Sequence, residues 1–570
     1  MKRNIHPCGI RGFKWEWVFA LFLFAWMCMN LVQSVCTEVL SDEAYYYMYG
    51  EHLSWGYFDH PPAVGVMTYV SSLLFGGNLG VRFATVILQL GAIVVIWKIL
   101  SERSPDRGKV VLFFLLTASF VMFQAYGWVT TPDVPLLFFA ALFLYGYKRF
   151  LESDSLANVL LLAVSMAGMT YSKYHAALIV GLVLLSNLRL LARWKIWAAG
   201  LLALLLLVPH FYWQAANDFP SFQYHLSDRS RSFRWIYLLE YLPNQLLVFN
   251  PFTFGAAVYV LTKYRPADAF ERGLYFLAAG LVIFFWGTAF RGHVEPHWTV
   301  VASIPMLVLL YRRSLKDERL MRYVRKWIAP SLLLLLVARV LLTTDGLLPA
   351  SLSFSGKEKV SRRIERIAGD LPVVFTGSFQ ASSNYHFHTK KEAFTLSSAT
   401  GRRTQYDLLE KELGRQGQPV FVCQDNSSKS ERYEVDGGVV YGYFVDRLQT
   451  VNREEITYTL DRTDALPGDT LWIPFTLRNP TAHAIDLRHP ELPVSCRAVY
   501  AIGRKKEACM VDCEWVEPLA VIPAQGSVSG QVRTIVPALD AGRYQFALTL
   551  VNPICAARNS AYVPFEILRK

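Results

Sequence analysis

The sequence predicts a polytopic α-helical membrane protein with a soluble C-terminal part, a small α/β module followed by a β-sandwich. Three observations predict it. Of 570 residues, 53% are hydrophobic and only 18% charged, too apolar for a soluble chain of this size. The apolar residues come in long blocks up to about residue 344. Beyond it follow more than 200 residues of ordinary globular sequence, ample for a separate core.

A bilayer core takes about 20 mostly apolar residues per helix. Eleven segments qualify: 18–36, 81–99, 110–128, 134–150, 157–171, 175–188, 195–213, 244–262, 273–290, 297–311 and 327–344. The first follows basic residues, as the core of a signal peptide would. Residues 18–35 are nevertheless long enough to span and lack a small-residue cleavage site, so they read as a retained helix. Connections 1–14, 98–109, 148–154, 189–195, 263–272 and 312–326 hold 23 Lys and Arg, and the alternating ones hold five. This asymmetry puts those six segments, with the N-terminus, in the cytoplasm. An odd number of spans then carries the C-terminal part outside. The net charge of +12 resides largely in these connections. Membrane lipids with anionic headgroups are therefore the expected neighbours, and no nucleic acid is.

The polar groups suited to chemistry fall in the outer connections. Asp42 and Glu43 follow the first span and precede Ala44-Tyr45-Tyr46-Tyr47. That places them near a C-terminal helix end, where carboxylates are disfavoured. The pair reads either as a general base for an attacking hydroxyl or as a cap for the next helix. Asp59-His60-Pro61-Pro62 precedes an apolar stretch, 63–75, too short for a span. Its prolines favour a turn or helix start, and His60 is either a phosphate donor or an interfacial side chain. Asp133, between Pro132 and Pro135, opens a helix as a cap and remains able to bind a substrate hydroxyl or a cation.

Lys173 breaks the charge rule on the outer side, so it needs an anion such as phosphate, or must snorkel to the interface. Arg291, Glu295 and His297 have the same status. Glu295 with His297 would also begin a metal site, although such sites normally gather three or more ligands. Around 214–243, Phe219, Phe222, Tyr224, Phe233, Trp235 and Tyr237 mix with Arg229, Arg231 and Arg234, which suits an element lying in the headgroup layer. A transporter more often places its polar groups at mid-membrane within repeated halves, and no internal repeat is visible.

With these residues in order, roughly 15–310 resembles the membrane glycosyltransferases of the GT-C type. The branch is the one holding the protein O-mannosyltransferases and the lipid A aminoarabinose transferases. The resemblance rests on Asp42-Glu43, then Tyr57-Phe58-Asp59-His60-Pro61, then Pro132-Asp133-Val134-Pro135, with segment 219–225 and Glu295-Pro296-His297-Trp298. It implies a transmembrane catalytic domain over 1–344 in a bacterial inner membrane, with the C-terminal part periplasmic. It further implies inverting transfer of a single sugar from a polyprenyl-phosphate donor to an envelope glycolipid or lipid A. A protein O-glycosyltransferase with the same donor is the alternative.

On this resemblance Asp42 is the catalytic carboxylate, Glu43 its support and Asp133 the second acid. Lys173, His60, Arg291 and His297 balance the donor phosphate, while Tyr57, Asp59 and Glu295 bind substrate. No metal ligands are assigned, and a divalent cation is left open as the one cofactor. In one departure, His60 stands where the aminoarabinose transferases carry a lysine. A histidine is only partly charged near neutral pH, which weakens an aminoarabinose donor. From another class, a lipid-linked sugar transporter or flippase would share cationic, aromatic outer loops but would not need Asp42.

Residues 345–450 alternate short apolar strands, at 371–375 and 419–422, with polar helical stretches, an α/β module. From 451 to 570, strands such as 456–460 and 472–477 are separated by Pro, Gly and Asn, the spacing of a β-sandwich. Acceptor recognition or scaffolding is its expected role. Cys496, Cys509, Cys513 and Cys555 lie there, where an oxidising compartment permits two disulfides in three pairings, with zinc the weaker alternative. Cys423 is left over, and Cys8 and Cys28 belong to the cytoplasmic end and the membrane.

Overall fold

The computed structural model describes residues 14–102, 104–225, 233–344, 355–396, 398–399, 401–424, 430–502 and 507–569. Cys8, Arg229 and Arg231 therefore lie outside the described residues. The chain divides into two compact units, Met1–Ser355 and Gly356–Lys570.

The first unit is helical. It opens with α1 (Trp15–Cys36), α2 (Ser41–Glu51), α3 (Ala63–Leu74) and α4 (Leu79–Leu100). These are followed by α5 (Arg107–Ser119), α6 (Val121–Ala125), α7 (Asp133–Glu152), α8 (Leu156–Ser172) and α9 (Ala176–Ser186). All eleven apolar segments are helical, but they do not all span alone. Among the described residues five helices are long and apolar enough to cross a membrane, or up to seven if each of two bent pairs counts as one. Segment 110–128 breaks at Phe120, whose backbone is extended, and 297–311 begins as a 3-10 turn. The helices α8 and α9 are short. Such pieces are tolerated at membrane depth where neighbouring protein covers their ends.

Two short helices, α2 and α3, fill the connection between the first two long spans and pack on each other. Gly50 permits this: a Cβ there would sit 2.6 Å from Thr68 Oγ1 and 2.8 Å from the Tyr69 amide. The last helix of the unit, Ala329–Thr343, docks through a buried cation. Arg339 Nη2 donates to Asn30 Oδ1 (2.8 Å) and Nε to Gln33 Oε1 (3.3 Å), both on α1.

The second unit holds β1 (Val373–Thr376), β2 (Ala393–Leu396), β3 (Val420–Cys423), β4 (Glu431–Val435) and β5 (Gly438–Val445), in sheet order β2-β1-β3-β5-β4. The pairs β1–β2 and β1–β3 are parallel, with helix Phe379–Thr389 joining β1 to β2. The remaining strands are β6 (Glu455–Tyr458), β7 (Asp464–Ala465), β8 (Thr470–Arg478), β9 (Ile485–Asp486), β10 (Ser495–Ile502) and β11 (Glu507–Trp515). After them come β12 (Val521–Ile522), β13 (Ser527–Ile535), β14 (Gly542–Asn552), β15 (Cys555–Ala556) and β16 (Val563–Ile567).

The main path runs β6-β8-β13-β11-β10-β14-β16-β7. Strand β8 buries Leu471, Ile473, Phe475 and Leu477 on one face, the period-2 pattern read from sequence. These residues share one core with Tyr500, Phe546, Leu548 and Phe565 from the β10-β14-β16 half. The hinge between the halves is β11, which pairs with β10 along 507–513 and with β13 only at Glu514 and Trp515.

Glu454, just before β6, is 2% exposed, and its Oε2 has no hydrogen-bond partner among the described residues. Burial pushes its carboxyl up to about 7 from the ordinary 4.5. For a raised acid the native form holds its proton longer than the unfolded form. The stabilisation is thus complete below the ordinary value and lost as pH rises through the folded value. We expect this unit to lose about 3 kcal/mol between about pH 5 and pH 8. Thermal melts of Glu454→Gln should show that slope flattened and the unit more stable at neutral pH.

Candidate active site

The site is assembled where α2 and α7 begin. After α1 the chain turns through 37–40, and α2 starts with Asp42 and Glu43 in its first turn. By sequence this pair stands near a C-terminal helix end. The structure reverses that, because α2 begins immediately and its N-terminal dipole favours carboxylates.

The two acids have different fates. Glu43 is fully buried. Its Oε2 accepts the Leu40 amide (2.8 Å), closing the N-terminus of α2. Its Oε1 accepts the Thr130 amide (2.8 Å) from the loop leading into α7. Arg82 on α4 meets it from below, with Nε donating to Oε1 (2.8 Å) and Nη2 to Oε2 (2.5 Å). Arg82 also donates to the carbonyls of Ser34, Thr37 and Glu38, which uses all five of its donors. Glu43 is thus a fastener, and Asp42, beside it, remains exposed.

Asp133 occupies the first turn of α7, as its flanking prolines predicted. It is 2% exposed, and Lys173, immediately after α8, grips both oxygens at 2.9 and 3.0 Å. Lys173 therefore does not snorkel, and Asp133 is its counter-ion. His297 Nε2 lies 3.7 Å from Asp133 Oδ2, and Tyr126 Oη donates to the same oxygen at 3.5 Å. Three residues far apart in sequence are thereby gathered into one cluster.

The Tyr57-Phe58-Asp59-His60 stretch forms a buried wall. Tyr57 stacks on Tyr49 at 3.9 Å and donates to the Tyr49 carbonyl (2.8 Å), while Tyr49 Oη donates to Asp59 Oδ1 (2.5 Å). His60, half-buried, has its Nε2 3.3 Å from Tyr46 Oη, on the same helix as Asp42. Ser221 ties this wall to segment 208–223 by donating to the Tyr57 carbonyl (2.8 Å), and Gln214 donates to Ser221 (2.8 Å).

Arg291 is exposed in the turn after helix Ala269–Thr288. Glu295 and His297 diverge. Glu295 approaches His293 at 3.8 Å, and His293 in turn meets Glu240 at 2.7 Å, whereas His297 turns toward Asp133. Among the described residues no group of three or more His, Cys, Asp or Glu side chains is placed to hold a metal ion.

Arg82 is not among the residues that the motifs single out, although an arginine inside an apolar span is itself a signal. Tyr49 and Tyr126 had no such signal.

Residues 59–213 match the family model described as dolichyl-phosphate-mannose-protein mannosyltransferase. The chain is 27% identical over 208 residues to the lipopolysaccharide core galacturonosyltransferase RgtA of Rhizobium johnstonii, covering 35% of this chain and 42% of that protein. It is 25% identical over 304 residues to the lipid A galacturonosyltransferase RgtD of the same organism, covering 50% of this chain and 63% of that one. The match thus spans less than two thirds of either relative. Among solved structures, apo ArnT from Cupriavidus metallidurans superposes with a TM-score of 0.57 at 17% identity, over 75% of this chain and 97% of ArnT. The same enzyme bound to undecaprenyl phosphate gives 0.54 at 16% identity, over 75% and 98%. The chain therefore has the fold of the GT-C type membrane glycosyltransferases, as the sequence resemblance implied.

Proposed function

We propose that the chain is an inverting glycosyltransferase of the inner membrane, moving one sugar from a polyprenyl-phosphate donor to lipid A or another envelope glycolipid on the periplasmic face. The observation that carries this reading is the exposure of Asp42 in the first turn of α2, beside two acids, Glu43 and Asp133, that are buried. Asp42 is then the group that takes the acceptor hydroxyl's proton. As it does, the acceptor oxygen bonds the anomeric carbon from the face opposite the phosphate. The bond from that carbon to the phosphate oxygen breaks, and polyprenyl phosphate leaves. His60, Arg291 and His297 offset the charge growing on the leaving phosphate. Tyr57 and Asp59 build the wall, and Glu295, near His293, joins them in binding substrate.

Lipid A as acceptor, and galacturonate as the first donor sugar to try, follow from the relatives named for those substrates. A protein acceptor remains the second reading, favoured by the family model. The test is transfer by purified protein from a panel of polyprenyl-phosphate sugars, with envelope lipid and unfolded protein as competing acceptors. Label reaching lipid upholds the first reading, and label reaching only protein upholds the second. A donor that binds and is never transferred would sink both and point to a transporter.

Lys173→Met should lower the turnover rate roughly a hundredfold by leaving Asp133 buried without its counter-ion. Lys173→Arg, which keeps the charge, should recover part of it. Unchanged kinetics in Lys173→Met would remove the pair from the site.

A further inference from the structure

The four cysteines of the β-sandwich allow three pairings by sequence, and the strand register leaves one. Cys496 on β10 and Cys513 on β11 are direct antiparallel partners. Opposed residues of such strands have Cα atoms about 4.5–5.5 Å apart, inside the range a disulfide bridges. Both side chains are buried.

The other pairings fail on distance. Cys509 faces Tyr500 and lies four residues along β11 from Cys513, roughly 13 Å away. Cys555 is on β15, which pairs with the edge of β14 opposite to β10. It is therefore two strands, roughly 10 Å, from Cys496, beyond the about 7 Å limit. Its sulfur accepts instead from Asn452 Nδ2. The second disulfide that the sequence permitted has no geometry to form.

We propose that Cys496 and Cys513 form the single disulfide of the C-terminal unit, clasping β10 to β11. The two thiols give up two protons and two electrons to a disulfide oxidant, which is reduced to two thiols. The oxidant's presence rests on the outward placement that the charge asymmetry of the sequence predicts for this unit, whereas the pairing rests on the register alone. Burial of both sulfurs favours closure during folding, before the sandwich seals.

Full-length protein would be alkylated under denaturing conditions straight from cells and mapped by mass spectrometry without reduction. A Cys496–Cys513 crosslink, kept in the Cys509→Ser/Cys555→Ser double variant, is the expected result. Reduction should then lower the melting temperature of this unit by roughly 5–10 °C. A second sample is refolded with oxidised glutathione. A crosslink there but not in cells would uphold the pairing and overturn the outward placement. A different crosslink, or none in either sample, would overturn the pairing.

Discussion

Replacing Asp42 by Asn should cut sugar transfer roughly a thousandfold, the upper part of what a positioned general base contributes, while the protein folds and binds donor as before. The separation of effects follows from where the residue sits. Asp42 is exposed and Asn keeps its shape, so little packing is lost. The N-terminus of α2 is closed by Glu43 through the Leu40 amide. The substitution removes the proton acceptor and keeps the size of the side chain. The decisive measurement is single-turnover transfer from a labelled polyprenyl-phosphate sugar alongside donor binding. Loss of transfer with unchanged binding supports the general-base role. Transfer at the wild-type rate would displace Asp42 from it, and no transfer by either protein despite bound donor would favour a lipid-sugar transporter.

The order of the acids along the chain was legible because each interrupts an apolar run, where a charged residue needs a reason. Asp133 between two prolines announced a helix start, and it opens α7. The spacing of β8 announced its inward face. What the sequence could not show was which charges meet. Lys173 looked like a cation awaiting phosphate because its partner, Asp133, lies 40 residues away. Glu295 and His297 looked like a pair because they are neighbours in sequence, yet their turn sends one to His293 and the other to Asp133. The acidic pair was placed at the wrong kind of helix end because α2, whose tyrosines give it no apolar stripe, was invisible to hydropathy. The cysteines, likewise, needed a strand register that no spacing supplies.

Arg82→Met should destabilise the membrane unit by roughly 3–5 kcal/mol, because it leaves Glu43 buried with its counter-charge removed and three carbonyls without their donor. Loss of stability alone would not tell a fastener from a positioning device. The double variant Arg82→Met/Glu43→Leu does. With both charges gone, much of the desolvation cost disappears and stability should return in part, the unpaired carbonyls and amides keeping the remainder. Activity should not, because the Leu40 and Thr130 amides have lost the carboxylate that joins the start of α2 to the loop before α7. Asp42 rides on the first of these and Asp133 on the second, so their spacing loosens, and a small misplacement of reacting groups costs about a hundredfold. The turnover rate should fall while donor affinity holds, measured in detergent well below the melting temperature of the double variant. Activity returning together with stability would mean that the Glu43–Arg82 pair only holds the fold. Activity staying low in a restored fold would make it the part that sets where Asp42 meets the acceptor.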